Sequence, residues 1–278
     1  MTNTRIFQIF YSERTRAELD PALTPLDNMV NERPDWREYW PIRNFLSNST
    51  LDPQAHYGFF SPKFRAKTHL NGASVCEFVN RHGEDADVIS FSPFFEEMAL
   101  SLNVVEQAIH HHPESEDTFR QCATLLAPNF RIDQSITSSR NTIFCNFFTA
   151  KAAFWTEWLR SCEQIFGIAE RADTPLATGL NRVVTYGAWT APAKVFVIER
   201  VASLLLCSQS HWKVAVADMP QLTGGVNPEL LVLDALKIAY AETGKERYLA
   251  VYRALCQRIA ARQHAAAQSI PVAVGQSR

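Results

Sequence analysis

Ile6-Phe7-Gln8-Ile9-Phe10-Tyr11 is a run of branched and aromatic residues, too short for a core helix, and it reads as a buried strand. Two similar runs lie downstream, His56-Tyr57-Gly58-Phe59-Phe60 and Ala86-Asp87-Val88-Ile89-Ser90-Phe91, and 212–217 supplies a last one. Helical patterns separate them. One spans 36–46, with Pro41 either starting or kinking it, and another spans 74–81. Strands alternating with helices predict an α/β fold whose sheet is mostly parallel and flanked by helices.

The second half is richer in helix. Ser92-Pro93 has the form of an N-cap followed by proline, and it should open a helix carrying Met98, Leu102, Val105 and Ile109 on one face up to His110-His111-His112-Pro113. A helix is expected over 116–126, an aromatic β-prone stretch over 141–148, and a helix over 152–170, where Phe154, Trp155, Trp158, Leu159, Cys162, Ile165 and Phe166 keep helical spacing. Residues 172–192, punctuated by Pro175, Gly179, Gly187 and Pro192, read as loop, and 193–208 reads as one buried helix. A turn over 221–226 leads to a helix opened by Asn227-Pro228-Glu229 and closed by Gly244, then a last helix over 245–262. The expected division is an α/β domain over 1–220, a C-terminal helical extension over 221–262 and a disordered tail over 263–278.

Composition narrows the function. Hydrophobic residues make up 46% of the 278, enough for a large core, and 18 Phe with 6 Trp predict an aromatic interior. The net charge of −2 offers no general attraction to nucleic acid. The six cysteines form no C-x-x-C pair and mostly sit in apolar runs, so they read as reduced core residues. No stretch suits a signal peptide or a membrane span. The expected location is therefore the cytoplasm.

Several clusters carry chemistry and leave two readings open. Asp85-Ala86-Asp87 has the letters of a metal-binding carboxylate pair but precedes a strand, whereas ligands in open α/β sheets gather at the carboxyl ends of strands. The three histidines at 110–112 are either metal ligands or a solvated helix end. Ser61-Pro62-Lys63-Phe64-Arg65-Ala66-Lys67 follows a strand, so its cations are either an ordinary basic loop or a diphosphate site. Glu199-Arg200 interrupts a very apolar segment and is either a structural pair or a carboxylate facing a site. Asn141 and Asn146 flank an aromatic run and either hold a loop or bind sugar hydroxyls.

In their order along the chain, four stretches resemble a family of bacterial GT-A-like glycosyltransferases from polysaccharide and lipopolysaccharide gene clusters. They are Ile6-Phe7-Gln8-Ile9-Phe10-Tyr11 with Pro25-Leu26-Asp27-Asn28; Arg37-Glu38-Tyr39-Trp40-Pro41-Ile42-Arg43-Asn44-Phe45-Leu46 with Tyr57-Gly58-Phe59-Phe60-Ser61-Pro62-Lys63-Phe64; Asn141-Thr142-Ile143-Phe144-Cys145-Asn146-Phe147-Phe148-Thr149-Ala150-Lys151 with Phe154 and Trp158-Leu159; and Val197-Ile198-Glu199-Arg200-Val201-Ala202-Ser203-Leu204-Leu205. Ser61-Pro62-Lys63 departs from the His-Tyr-Arg more usual in that family, and no D-x-D is present. The resemblance implies a Rossmann-like GT-A sheet and transfer of a sugar from a nucleotide-sugar donor to a glycan or lipid-linked acceptor. The alternative is a non-catalytic transferase-like scaffold of a glycan pathway. By this likeness Tyr11 and Ser12 would lie at the nucleotide end. Lys63, with Arg65 or Lys67, would face the diphosphate, and Asn141 and Asn146 would line the sugar or acceptor side. Glu199 would be the base or an orienting carboxylate, with Arg200 beside it, and Mn or Mg would assist the donor. The C-terminal helices, whose polar face was expected to carry Lys237, Lys245, Arg247, Arg253 and Arg258, would cover the sheet, dimerise, or rest on the inner membrane.

Overall fold

The computed structural model describes residues 3–187, 189–219 and 225–268. Its centre is a six-stranded sheet built from β1 (Thr4–Phe10), β2 (Thr24–Asp27), β3 (His56–Phe60), β4 (Val88–Ser90), β5 (Phe148–Lys151) and a last strand at Val214–Val216. A separate hairpin, β6 (Val183–Tyr186) and β7 (Trp189–Pro192), makes that last strand β8. The order is β2-β1-β3-β5-β4-β8, and only β5 runs against its neighbours. The chain leaves β1 toward β2 on one side and returns to β3 on the other. That reversal places a switch point at the carboxyl ends of β1 and β3, the position where open α/β sheets bind ligands.

The alternation of the strands divides the core. Phe7, Ile9, Tyr57, Phe59 and Val88 point to the face covered by α2 (Tyr39–Asn48) and the long α8 (Ala152–Arg171). Ile6, Phe60 and Ile89 point to the other face, under α3 (Phe64–Thr68) and α4 (Gly72–His82). Trp155 of α8 stacks on Phe148 at 4.5 Å, meets Phe59 edge-on, and donates its indole hydrogen to the Tyr57 carbonyl at 3.0 Å. Gly58 is required beneath this packing, because a Cβ there would lie 2.7 Å from Thr149 Cγ2 on the adjacent β5. None of the six cysteines is in a disulfide.

Three helical expectations change. The helix foreseen from Ser92 is split into α5 (Phe95–Leu100) and α6 (Val104–His111), after a short α1 (Glu13–Ala17) earlier in the chain. Asn103 causes the split: its Oδ1 accepts from the amides of Val105 and Glu106 and so starts a new helix, while its Nδ2 donates to Ile132 and Ser135 carbonyls. Ser92 is no N-cap; its hydroxyl accepts the Phe144 amide instead. The helix foreseen over 193–208 breaks at Glu199-Arg200 into α10 (Ala193–Ile198) and α11 (Val201–Ser208), following α7 (Glu116–Leu126) and α9 (Pro175–Asn181). Residues 172–192 are not loop, since they hold α9 and the β6–β7 hairpin. The stretch 141–147 is turn, with β5 starting only at Phe148.

The C-terminal helices are α12 (Pro228–Thr243) and α13 (Glu246–Gln268). They form a small core of their own with Ala99, Leu102 and Ile136. Lys237 is not on a polar face: it is fully buried and donates to the Met98 and Ser101 carbonyls, and burial lowers its pKa to about 8. The helix passes the expected end at 262 and continues to Gln268. Residues 221–224 of the expected turn and the tail after 268 lie outside the described residues. No helix among the described residues is long and apolar enough to cross a membrane.

Candidate functional site

The carboxyl ends of β1, β3 and β4 and the amino end of antiparallel β5 meet at one rim of the sheet. The segments leaving or entering there carry Tyr11, Lys63 and Lys67, Phe94, and Cys145. Two further segments reach the same place, Arg37-Glu38 at the start of α2 and Glu199 at the break between α10 and α11.

Lys67, on α3, is the central cation. Its Nζ lies 3.1 Å from Cys145 Sγ, 5.5 Å from the centre of the Phe94 ring and 5.8 Å from that of Phe147. Burial opposes its charge, but Cys145, Glu199 and Tyr186 around it raise its pKa above the ordinary lysine value. The Cys145 thiol is itself pushed up to about 12 by burial and by Glu199. It is therefore neutral near pH 7.

Glu199 keeps some exposed surface, yet its carboxyl is enclosed by protein. Burial raises its pKa; Arg200 and Lys67 pull it down, and Glu38 adds a smaller upward push. Neither oxygen of Glu199 takes part in a hydrogen bond or ion pair among the described residues. Glu38 is likewise without a side-chain hydrogen bond there, and its charge also raises the pKa of Tyr11, after burial. Tyr11, Glu38, Lys67 and Glu199 thus share one electrostatic neighbourhood.

The backbone around this neighbourhood is strained. Arg37, His69, Phe94, Cys145 and Asn146 all have positive φ, between 51° and 63°. Such conformations cost a residue with a Cβ about 1–2 kcal/mol each. Among them, Phe94 and Cys145 stand beside Lys67 at the rim, while His69 is the left-handed cap that ends α3.

The other sequence-nominated residues separate cleanly. Lys63 is exposed, with its Nζ 5.4 Å over the Trp189 ring, and Arg65 is exposed on α3. Ser12 is committed to a capping box with Thr15 at the start of α1. Asn141 holds a turn by accepting the Ser138 amide at 2.8 Å. Asn146 is buried beside Cys145 with its Oδ1 unpartnered. Arg200 points into the interior, where it donates to the Val104 and Phe196 carbonyls and to Gln107 Oε1. It binds the two halves of the broken helix to α6, and its assignment to ligand binding is corrected on that ground.

The metal readings do not survive. Asp87 pairs with Lys151 and accepts the Lys213 amide at the amino end of β4, opposite the rim. His111 meets Glu97 at 2.6 Å, while His112 is buried 4.2 Å from the Phe196 ring, so the histidines face apart. No group of three or more His, Cys, Asp or Glu among the described residues could hold a metal. At the rim itself the Glu199 carboxylate has the Lys67 ammonium in its field, which would repel a divalent ion. These donors do not fit a resident Mn or Mg.

Sequence reasoning missed Glu38, Phe94, Cys145 and the hairpin. The hairpin had a signal in Val183-Val184-Thr185-Tyr186-Gly187, a β-prone run ending on glycine. The hairpin is tied to the rim by Arg37, whose Nη2 donates to the Thr190 carbonyl at 3.2 Å. No model of a known protein family, no curated protein and no solved structure matches the chain.

Proposed function

We propose that the chain is a glycosyltransferase of GT-A-like build, moving a sugar from a nucleotide-sugar donor to a growing bacterial surface glycan, such as capsule or O-antigen, on the cytoplasmic side of the inner membrane. The observation that carries this reading is the unpaired Glu199 carboxylate beside the Lys67 ammonium at the switch point of the sheet. A site that transfers a glycosyl group needs a base for the acceptor hydroxyl and positive charge for the departing diphosphate. Both are present, and both are partly buried.

In this reading Glu199 takes the proton from the acceptor hydroxyl as that oxygen bonds to the anomeric carbon. The bond from the anomeric carbon to the diphosphate oxygen breaks, and the leaving group keeps the electron pair. Lys67, with Lys63 nearer solvent, holds the new negative charge. Burial strengthens Glu199 as a base by raising its pKa. Tyr11, at the end of β1 beside Arg37 and Glu38, belongs to the nucleotide end. No step is assigned to a metal.

The reading is tested by thermal shift and calorimetry with UDP, GDP, ADP and their sugars, with and without Mn²⁺. One nucleotide should stabilise the protein, by about 2.7 kcal/mol at a hundred times its Kd. Lys67→Ala should weaken that binding about 10- to 100-fold, the worth of a hydrogen bond to a charged group. Silence across the panel would turn the assignment to the non-catalytic scaffold, a reading favoured by the missing metal ligands.

A further inference from the structure

The aromatic residues of this protein fall into two populations. Interior rings pack on one another throughout both cores. Only Tyr11, Phe94, Tyr186 and Trp189 are exposed by more than about a third among the described residues, at 41%, 42%, 49% and 67%. All four stand at the rim described above. Tyr11, Phe94 and Trp189 make no ring–ring contact with any other aromatic. Tyr186 leans on Phe196 at 5.7 Å and on His112 at 6.1 Å, which fixes the base of the hairpin.

Exposure of this kind is costly, and here it is built in. Phe94 combines an exposed ring with a left-handed backbone, two unfavourable choices at one residue. Trp189 is presented by a two-stranded hairpin whose registry, Tyr186 opposite Trp189, brings two aromatic residues together beside the Gly187 turn. The hairpin is held down at Thr190 by Arg37 and at its root, where the Ala193 amide meets the Arg182 carbonyl. Lys63 occupies one side of the Trp189 ring. Beyond the charged floor, then, an indole faces solvent, with Val183 on the same hairpin 64% exposed.

We propose that Trp189 is the stacking platform for a sugar ring of the acceptor, and that the acceptor is an oligosaccharide long enough to reach outward from Glu199 along the β6–β7 hairpin. This deepens, and rests on, the glycosyl-transfer reading. The axial C–H groups of a pyranose carry partial positive charge and suit the negative face of an indole, while its hydroxyls remain free for water or for the site. The position of Trp189 selects acceptor over donor. It is the most exposed of the four rings, and the cation on its face is the exposed Lys63, not the half-buried Lys67. A compact nucleotide ends at that floor, whereas a chain of sugars extends past it.

The test uses the full chain with two sets of probes: a printed array of bacterial surface oligosaccharides, and UDP, GDP and ADP by calorimetry. The wild-type protein should bind at least one glycan class on the array. Trp189→Ala should weaken that binding about tenfold or more, as loss of a central aromatic anchor does, and Trp189→Phe should retain it within about threefold. The thermal midpoint should not change in either variant, because the ring is exposed and makes no ring–ring contact, and nucleotide affinity should fall by no more than about fivefold in Trp189→Ala, the worth of the exposed Lys63–Trp189 contact. A silent array, or Trp189→Ala binding glycans as wild type does, overturns the proposal. Loss of nucleotide binding in Trp189→Ala also overturns it, by giving the ring to the donor base. If glycans bind through Trp189 while no nucleotide binds at all, the platform stands and the transferase reading falls.

Discussion

Lys194 and Glu199 belong to the same short helical segment, both are charged and both are enclosed, yet their surroundings are opposite. Lys194 Nζ meets Asp35 Oδ2 at 2.6 Å and Asn181 Oδ1 at 2.9 Å, and it lies 4.3 Å over the Trp36 ring. Asp35 is gripped on its other side by both arms of Arg33, which reaches on to Glu170, and Glu170 accepts the Trp36 indole hydrogen. Every charge in that cluster has a partner. It fastens the segment after β2 to α8 and α10. At the rim, Glu199 and Glu38 have no side-chain hydrogen-bonded partner among the described residues, and Lys67 has there only a neutral thiol. A buried charge left unsatisfied is destabilising unless something outside the chain completes it. The first cluster is a fastening, and the second has the form of a binding site.

The sharpest way to break this comparison is to remove charge from each member. Glu199→Gln should lower transfer by about 10²- to 10⁴-fold, the contribution of a positioned base. It should leave the thermal midpoint equal or higher, because burial disfavours the charged form of Glu199 and the amide carries no charge. Activity assay and calorimetry on one preparation would settle it, and a variant that unfolds would show Glu199 to be structural. Lys194→Met should do the reverse. It should lose about 1–3 kcal/mol of stability, a loss moderated because Arg33 still serves Asp35, with no change in nucleotide affinity.

The smallest effect is in pH. Burial raises the folded pKa of Glu199 above its ordinary 4.5, so between those two values the folded state binds more protons than the unfolded. Stability must then fall as pH rises through that window, and Glu199→Gln should remove the fall. Asp35 is opposite. Burial works against its charge, but Arg33 and Lys194 outweigh it and lower its pKa below 3.8. Its contribution is full above that pH and is lost as pH falls further. Thermal midpoints of wild type and both variants from pH 3 to 7 should therefore show the Glu199→Gln advantage growing upward from about pH 4.5. The Lys194→Met deficit should shrink only at the acid end.

Part of this site was legible in the sequence because a charge in an apolar segment is conspicuous anywhere. Glu199-Arg200 could be singled out within Val197-Ile198 and Val201-Ala202, and Lys63 and Lys67 because they follow a strand. Which of two adjacent charges faces the rim was not legible. The helix breaks at that point, and Arg200 finds its acceptors on α6, far away in sequence. Glu38 was invisible for a related reason: an acid beside an arginine in a polar stretch has no signature until the fold brings it near Tyr11 and Glu199.

The chain's own pattern determined β1, β3, β4 and β8, the aromatic interior and the long helix at Ala152–Arg171, because those follow from local periodicity, whereas β2 and the hairpin strands β6 and β7 lie in stretches that read as loop. Tertiary structure decided that one strand runs antiparallel, that Asn103 and Arg200 break helices, that Lys237 is buried, and that Glu38, Lys67, Glu199 and the exposed rings of Phe94 and Trp189 share a rim. These depend on contacts between distant segments, whose formation is set by packing and charge in three dimensions and leaves no mark on spacing along the chain.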